Sequence, residues 1–151
     1  MIGNHIKAYR SLNRNRVKYL VIGGLAANLY GVPRATKDMG LFIQPTLKNC
    51  QKLLKALIEA GFGTAYLTTP EGVLQKEVTI FEDYVRLDIL LKPKGLSFDE
   101  VWTRRSAVTI QGTEVKFLSL DDLIKSKLAT GRKADLEDVR ILRKIRREKL
   151  K

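Results

Sequence analysis

Ile6, Tyr9 and Leu12 recur at helical spacing and predict a short amphipathic helix near the start of the chain. "VKYLVIGG" is a continuous apolar run that reads as a buried strand ending at glycines, and "LAANLYG" fits a helix closed by Gly31. "DMGLFIQP" alternates as a strand until Pro45 stops it. Asp38, Gly40, Phe42 and Gln44 fall on one face, Met39, Leu41 and Ile43 on the other. Thr46 is the expected N-cap of the next helix, whose stripe of Leu47, Cys50, Leu53, Leu54, Leu57 and Ile58 ends at Gly61.

"GFGTAYLTTPEGV" carries loop signals. "EVTIFEDYVRLDILLKP" reads as two strands joined through a Glu82-Asp83 turn, and the second strand places Asp88 inside an apolar run. "SFDEVWTRR" predicts a short capped helix, and "AVTIQGTEVKFL" a hairpin turning at Gln111-Gly112. Ser119 caps "LDDLIKSKLAT", and Gly131 separates that helix from a last one carrying Leu136, Val139, Leu142 and Ile145. Neither a repeat nor a linker interrupts the pattern. The expected fold is α/β (α+β), a mixed sheet with helices in one domain over residues 1–151, of which 119–151 form a helical, basic segment.

A chain of 151 residues, 44% of them apolar, suffices for one buried core. The lone Cys50 excludes an intrachain disulfide and sits on an apolar stripe, which makes it a core residue rather than a nucleophile. The start, "MIGNHIKAYR", has no apolar leader segment and no run has the length of a membrane span, so the expected location is the cytoplasm. His5 reads as a surface residue, and a zinc site is excluded because Cys and His do not cluster.

Charge changes the picture more. The formal net charge is +12, and residues 125–151 hold eleven Lys or Arg against four Asp or Glu. Such a face attracts polyanions, with nucleic acid or another polyphosphate as the expected partner and none specified by charge alone; a merely solvated helix flank is the alternative.

Gly23 and Gly24 stand at a strand-to-helix transition, where a triphosphate can approach backbone N–H groups at a helix N-terminus. The spacing is neither that of a P-loop nor that of a dinucleotide fingerprint, and a tight, closely packed turn would use the same pair. "VIGGLAANLYGVPRATKDMGLFI", "VRLDILL" and "FLSLDDLIKSKLATGRKADLEDVRIL" together resemble the nucleotidyltransferase superfamily that shares the DNA polymerase β catalytic fold. The likeness is to its small prokaryotic members, including those related to abortive-infection toxins of the type IV toxin–antitoxin class, and it spans roughly residues 17–145.

The resemblance implies Mg²⁺-dependent transfer of a nucleoside monophosphate from a nucleoside triphosphate to a hydroxyl on tRNA, other RNA or protein, and a cognate antitoxin as a further partner. It assigns Asp38 and Asp88 to catalysis and metal binding, with Asp88 also helping to deprotonate the acceptor, and Gly23 and Gly24 to the phosphates. Arg34, Thr36, Lys37, Lys127 and Lys133 are the remaining nucleotide-binding candidates; Lys127 and Lys133, with Asp135, serve equally well as a salt-bridged lock. The family's second acid is missing, because Gly40 stands where an Asp-x-Asp or Asp-x-Glu motif has its second carboxylate. Glu77 is the expected substitute, since Glu82 and Asp83 belong to the turn, and Arg86 is the alternative, non-metal partner of Asp88. A pseudoenzyme that binds nucleotide or RNA without turnover, and a toxin disabled by Gly40, are the competing readings.

Overall fold

Six strands form one mixed sheet: β1 (Tyr19–Ile22), β2 (Met39–Ile43), β3 (Val78–Glu82), β4 (Arg86–Leu90), β5 (Ser106–Ile110) and β6 (Thr113–Phe117). Their order is β3-β4-β2-β1-β6-β5. β1 is antiparallel to β2 and parallel to β6, β2 is parallel to β4, and antiparallel hairpins β3–β4 and β5–β6 finish the two sides. The computed structural model describes residues 2–149; Met1, Leu150 and Lys151, the last two at the end of the basic segment, lie outside the described residues.

Central and edge strands differ as their sequences require. All of "YLVI" in β1 is buried, because an apolar strand at the centre of a sheet can be covered on both faces. Val78 and Ile80 of the edge strand β3 stay exposed. On one face α1 (Ile2–Arg14) packs with α3 (Leu47–Glu59), and Tyr9 stacks on Tyr19 of β1 at 6.1 Å between ring centroids. On the other, Phe42 of β2 meets Phe98 of α5 (Phe98–Thr103) edge to face at 5.1 Å. α2 (Gly23–Tyr30) leans on β1 and β2 and touches α6 (Leu120–Thr130) and α7 (Lys133–Lys149). Leu20, Leu41 and Leu87 in the middle of the sheet are fully buried, each contributing roughly 1.5–3 kcal/mol.

Local signals set the element ends. Thr46 accepts a hydrogen bond from the Asn49 amide and Ser119 from that of Asp122; Gly31 and Gly131 end their helices in the left-handed region. Gln111 (φ 49°) and Gly112 (φ 75°) make the tight turn of β5–β6, both at the positive φ that a two-residue hairpin turn of this hand needs. Cys50 is fully buried in the core, and burial raises its thiol pKa.

Four expectations need correction. His5 is buried, 2% exposed, because α1 carries it inward next to Tyr9; burial lowers its pKa. The supposed loop after Gly61 holds a 3-10 helix at Gly63–Leu67 and a turn of helix, α4 (Pro70–Leu74), capped by the Thr69 hydroxyl with Pro70 at its start. Glu82 is the last residue of β3 rather than part of the turn, which leaves Asp83 there to accept from the Thr64 hydroxyl. Ser97 precedes α5 without making a side-chain cap.

No helix among the described residues is long and apolar enough to cross a membrane. One buried polar side chain ties the sheet centre together: Asn49, 4% exposed, accepts from the Lys18 amide at 2.9 Å and donates to the Lys18 and Gln44 carbonyls at 3.0 Å each. Asn49→Ala strands these backbone groups and should lower unfolding free energy by about 2–3 kcal/mol, read from urea titration. A loss within about 0.5 kcal/mol, the usual size of a neutral surface change, would show that the sheet does not need the bridge.

Candidate active site

Parity along three strands builds the site. β1, β2 and β4 align Ile22 with Gly40 and Gly40 with Asp88, and residues paired in this way share a face. Asp38 directly precedes β2, two residues before Gly40. A cavity of about 420 Å³ opens over this face, bordered by Gly23, Gly24, Thr36, Asp38, Gly40 and Asp88 from the sheet side. Leu123, Ser126, Lys127 and Thr130, one stripe of α6, close it opposite, and Lys94 and Arg132 stand at its border.

The two glycines have separate reasons. Gly23 opens α2 at φ +72°, a conformation in which a side chain is strained, and space around its missing Cβ is open. Gly24 packs against the loop of residues 32–38: a Cβ there would lie 3.1–3.2 Å from three Thr36 side-chain atoms. The pair therefore packs the loop closely and leaves bare backbone at the cavity floor.

Gly40 has no left-handed φ, and a Cβ on it would meet only ordinary contacts with Ile22 at 3.4–3.5 Å. The backbone thus accepts an acid that the sequence does not supply. Glu77 does not replace it. It precedes β3, and the β3–β4 register puts Val78, Ile80 and Glu82 on the face of Asp88, so strand alternation turns Glu77 to the opposite one. No group of three or more His, Cys, Asp or Glu residues able to hold a metal occurs among the described residues. Asp38 and Asp88 remain, and Mg²⁺ is commonly held by one or two carboxylates together with substrate phosphates. The donor set fits one such ion brought with a triphosphate, and is too small for a protein-only pair of ions.

Arg86 occupies this face as well. Its Nε donates to Asp88 Oδ1 at 3.0 Å, with the two side chains 42% and 29% exposed. Asp88, through that hydrogen bond and then through charge, raises the guanidinium pKa further, and the charges of Asp38 and Glu82 act in the same direction.

Lys127 is held differently. It is 5% exposed and donates to Asp135 at 3.1 Å and Asp138 at 2.9 Å, both buried. Arg34 pairs with the other oxygen of Asp138 at 2.9 Å, and Asp135 also accepts from Thr130 at 2.6 Å and Arg132 at 2.9 Å. This network joins α6, α7 and the loop that leads to Asp38. Arg34 and Lys37 border a second, more apolar cavity of about 710 Å³, lined by Tyr9, Leu25, Leu29, Ile110 and Phe117, with Thr36 as the shared wall. Lys133, exposed at the start of α7, borders neither cavity. Sequence reasoning missed Lys94, Ser126, Thr130 and Arg132. Ser126 and Thr130 share the helical stripe of Lys127, so knowing that α6 faces the site would have found them.

A family model described as "Nucleotidyl transferase of unknown function (DUF2204)" matches residues 3–151. Two solved structures share the fold: a candidate nucleotidyltransferase from Thermotoga maritima and an antigenic nucleotidyltransferase-like protein from Paracoccidioides brasiliensis. The first has TM-score 0.57 and 21% identity, covering 94% of this chain and 89% of that one. The second has TM-score 0.54 and 16% identity, covering 89% and 71%. No curated protein matches the sequence.

The Asp135 carboxyl gives a pH test. Burial works to raise its pKa, but hydrogen bonds from Thr130, Lys127 and Arg132 prevail and hold it below the ordinary 3.8. A depressed pKa stabilises the fold above the unfolded value, and that contribution is lost as pH falls through the folded value. Asp135→Asn should therefore cost about 1–3 kcal/mol at pH 7, with the gap to wild type closing below pH 3.8. A pH-independent gap in urea unfolding would refute the assignment.

Proposed function

The chain belongs to this family of nucleotidyl transferases of unknown function, and on that premise we propose that its cavity transfers a nucleoside monophosphate from a nucleoside triphosphate to a hydroxyl acceptor. The observation that carries the reading is the convergence, from separate parts of the chain, of a bare glycine backbone, three carboxylates (Asp38, Asp88 and the ion-paired Asp135) and three cations on one cavity. The acceptor oxygen bonds to the α-phosphorus, the bond from that phosphorus to the bridging oxygen breaks, and pyrophosphate leaves with its electron pair. Asp88 takes up the acceptor proton and passes it to water. The bare backbone of Gly23 and Gly24 receives the β- and γ-phosphates, while Lys94 and Arg132 offset their charge. Asp38 and Asp88 would hold Mg²⁺, which supplies Lewis-acid charge at the transferring phosphoryl group.

Within this reading the acceptor is an RNA end, and the whole chain acts as one domain. Support for RNA comes from α7, where Leu128 of α6 and Leu136, Val139, Arg140, Arg143 and Arg147 line a shallow groove of about 280 Å³. Arg140, Arg143 and Arg147 are exposed and without an ion pair among the described residues, whereas Arg146 is tied to Asp121 at 3.0 Å.

Two experiments test the reading. Mg²⁺ with ATP, GTP, CTP or UTP at millimolar concentration should raise the melting temperature more than either component alone, by mass action, and Asp38→Asn with Asp88→Asn should abolish the gain. No shift with any of the four nucleotides in a folded sample would sink the nucleotide site. Radiolabelled triphosphates with bulk tRNA then separate an enzyme from a non-catalytic binder: binding without any labelled product would favour the latter. For RNA, the slope of log affinity against log salt should fall by about 2–3 when Arg140, Arg143 and Arg147 are changed to Gln together. An unchanged slope would return the groove to ordinary surface.

A further inference from the structure

The bare position at Gly40 and the guanidinium of Arg86 belong together. The aligned register puts residue 40 beside Asp88, so the second acid of a two-ion site would stand there; the chain supplies none. Two residues before Asp88, on the same face, Arg86 donates to Asp88 Oδ1. Across the hairpin Arg86 is paired with Glu82, so the guanidinium is flanked by one carboxylate on its own strand and another on β3. One negative charge fewer and one fixed positive charge more point the same way: cation demand at this face is already met in part by the protein.

We propose that Arg86 takes the place of a second divalent cation in this site, so that the cavity binds a metal ion only as the partner of a triphosphate. The proposal rests on the reading of the cavity as a nucleotide site and adds to it a rule for the metal. With Arg86 neutralising Asp88 and Asp135 paired to Lys127 and Arg132, Asp38 is left as the one carboxylate lining the cavity that is not ion-paired within the described residues. A lone exposed carboxylate holds Mg²⁺ or Mn²⁺ weakly. Triphosphate oxygens add the charge and the ligands that complete a six-coordinate shell. The guanidinium, bonded to Asp88 without itself lining the cavity, supplies a positive charge next to that carboxylate, and it needs no ion from solution.

Mn²⁺ titration followed by the electron paramagnetic resonance of the free ion, without nucleotide, tests this directly. Wild type should show no site tighter than millimolar. Arg86→Gln should tighten Mn²⁺ binding by about tenfold, the effect of one unit charge on a divalent ion roughly 6 Å away in bulk-water dielectric. Gly40→Asp should do the same by restoring a ligand, and the double variant should bind most tightly. Arg86→Lys, which keeps the charge, should stay within about twofold of wild type. The exposed Arg86 side chain makes unfolding of the variants a small concern, and equal urea midpoints check it.

If Arg86→Gln leaves Mn²⁺ affinity unchanged while Gly40→Asp raises it, Arg86 is a surface ion pair and the proposal is overturned. It is overturned equally if wild type binds two Mn²⁺ ions without nucleotide, or if Arg86→Lys gains as much as Arg86→Gln. Because the titration contains no nucleotide, its outcome is independent of the thermal-shift experiment. Failure there with the Mn²⁺ pattern intact would remove the nucleotide reading and leave the role of Arg86 as a counter-ion standing.

Discussion

β2 must lie between β1 and β4 in one register, and the site depends on that constraint. Side chains alternate along a strand, so a slip of one residue would turn Asp38 and Asp88 to opposite faces and present apolar Met39 or Leu87 to the cavity. The slip is resisted from both faces, since Leu41 and Phe42 are both buried and neither can trade places with solvent. Asn49 adds a polar lock by bonding the chain just before β1 and just after β2. A rigid apolar centre thereby aims an exposed polar rim.

Much of this was legible in the sequence, where short-range chemistry decides the outcome. Thr46, Ser119, Gly31, Gly131 and the Gln111-Gly112 turn act within four residues, and each does what its chemistry predicts. The family resemblance, the mixed sheet and the helices around it rest on patterns of that kind. Long-range placement was not legible. Glu77 looked suitable because distance along the chain hides parity, and only the β3–β4 register shows which acids share a face with Asp88. His5 looked exposed because a polar residue near an end gives no sign of the aromatic neighbours that a helix will bring to it. Lys94 and Arg132 lie in loops whose path depends on the whole fold.

The buried charges around Lys127 are arranged to be satisfied rather than free. Removing a charge from water is costly unless partners surround it, and here two carboxylates meet three cations and a hydroxyl. Lys127 borders the cavity yet is already doubly paired, which makes it a poor source of mobile charge for a ligand. Lys94 is exposed and without an ion pair among the described residues, while Arg132, though bonded to Asp135, keeps a largely exposed side chain. The cavity therefore combines a neutralised wall with an exposed cationic rim.

The bond from Arg34 to Asp138 spans more than a hundred residues of sequence and ties the segment leading to Asp38 to the last helix. Local opening in a protein follows such ties, because segments that share their anchoring contacts open as one cooperative unit. Residues 32–38 carry few backbone hydrogen bonds of their own, and in isolation their amides would exchange with solvent freely. Anchored to α7, the segment has its excursions coupled to those of the helix. The stability of the C-terminal helix thereby bears on the segment that carries Thr36 and Asp38 to the cavity wall, far along the chain from the carboxylate that it positions.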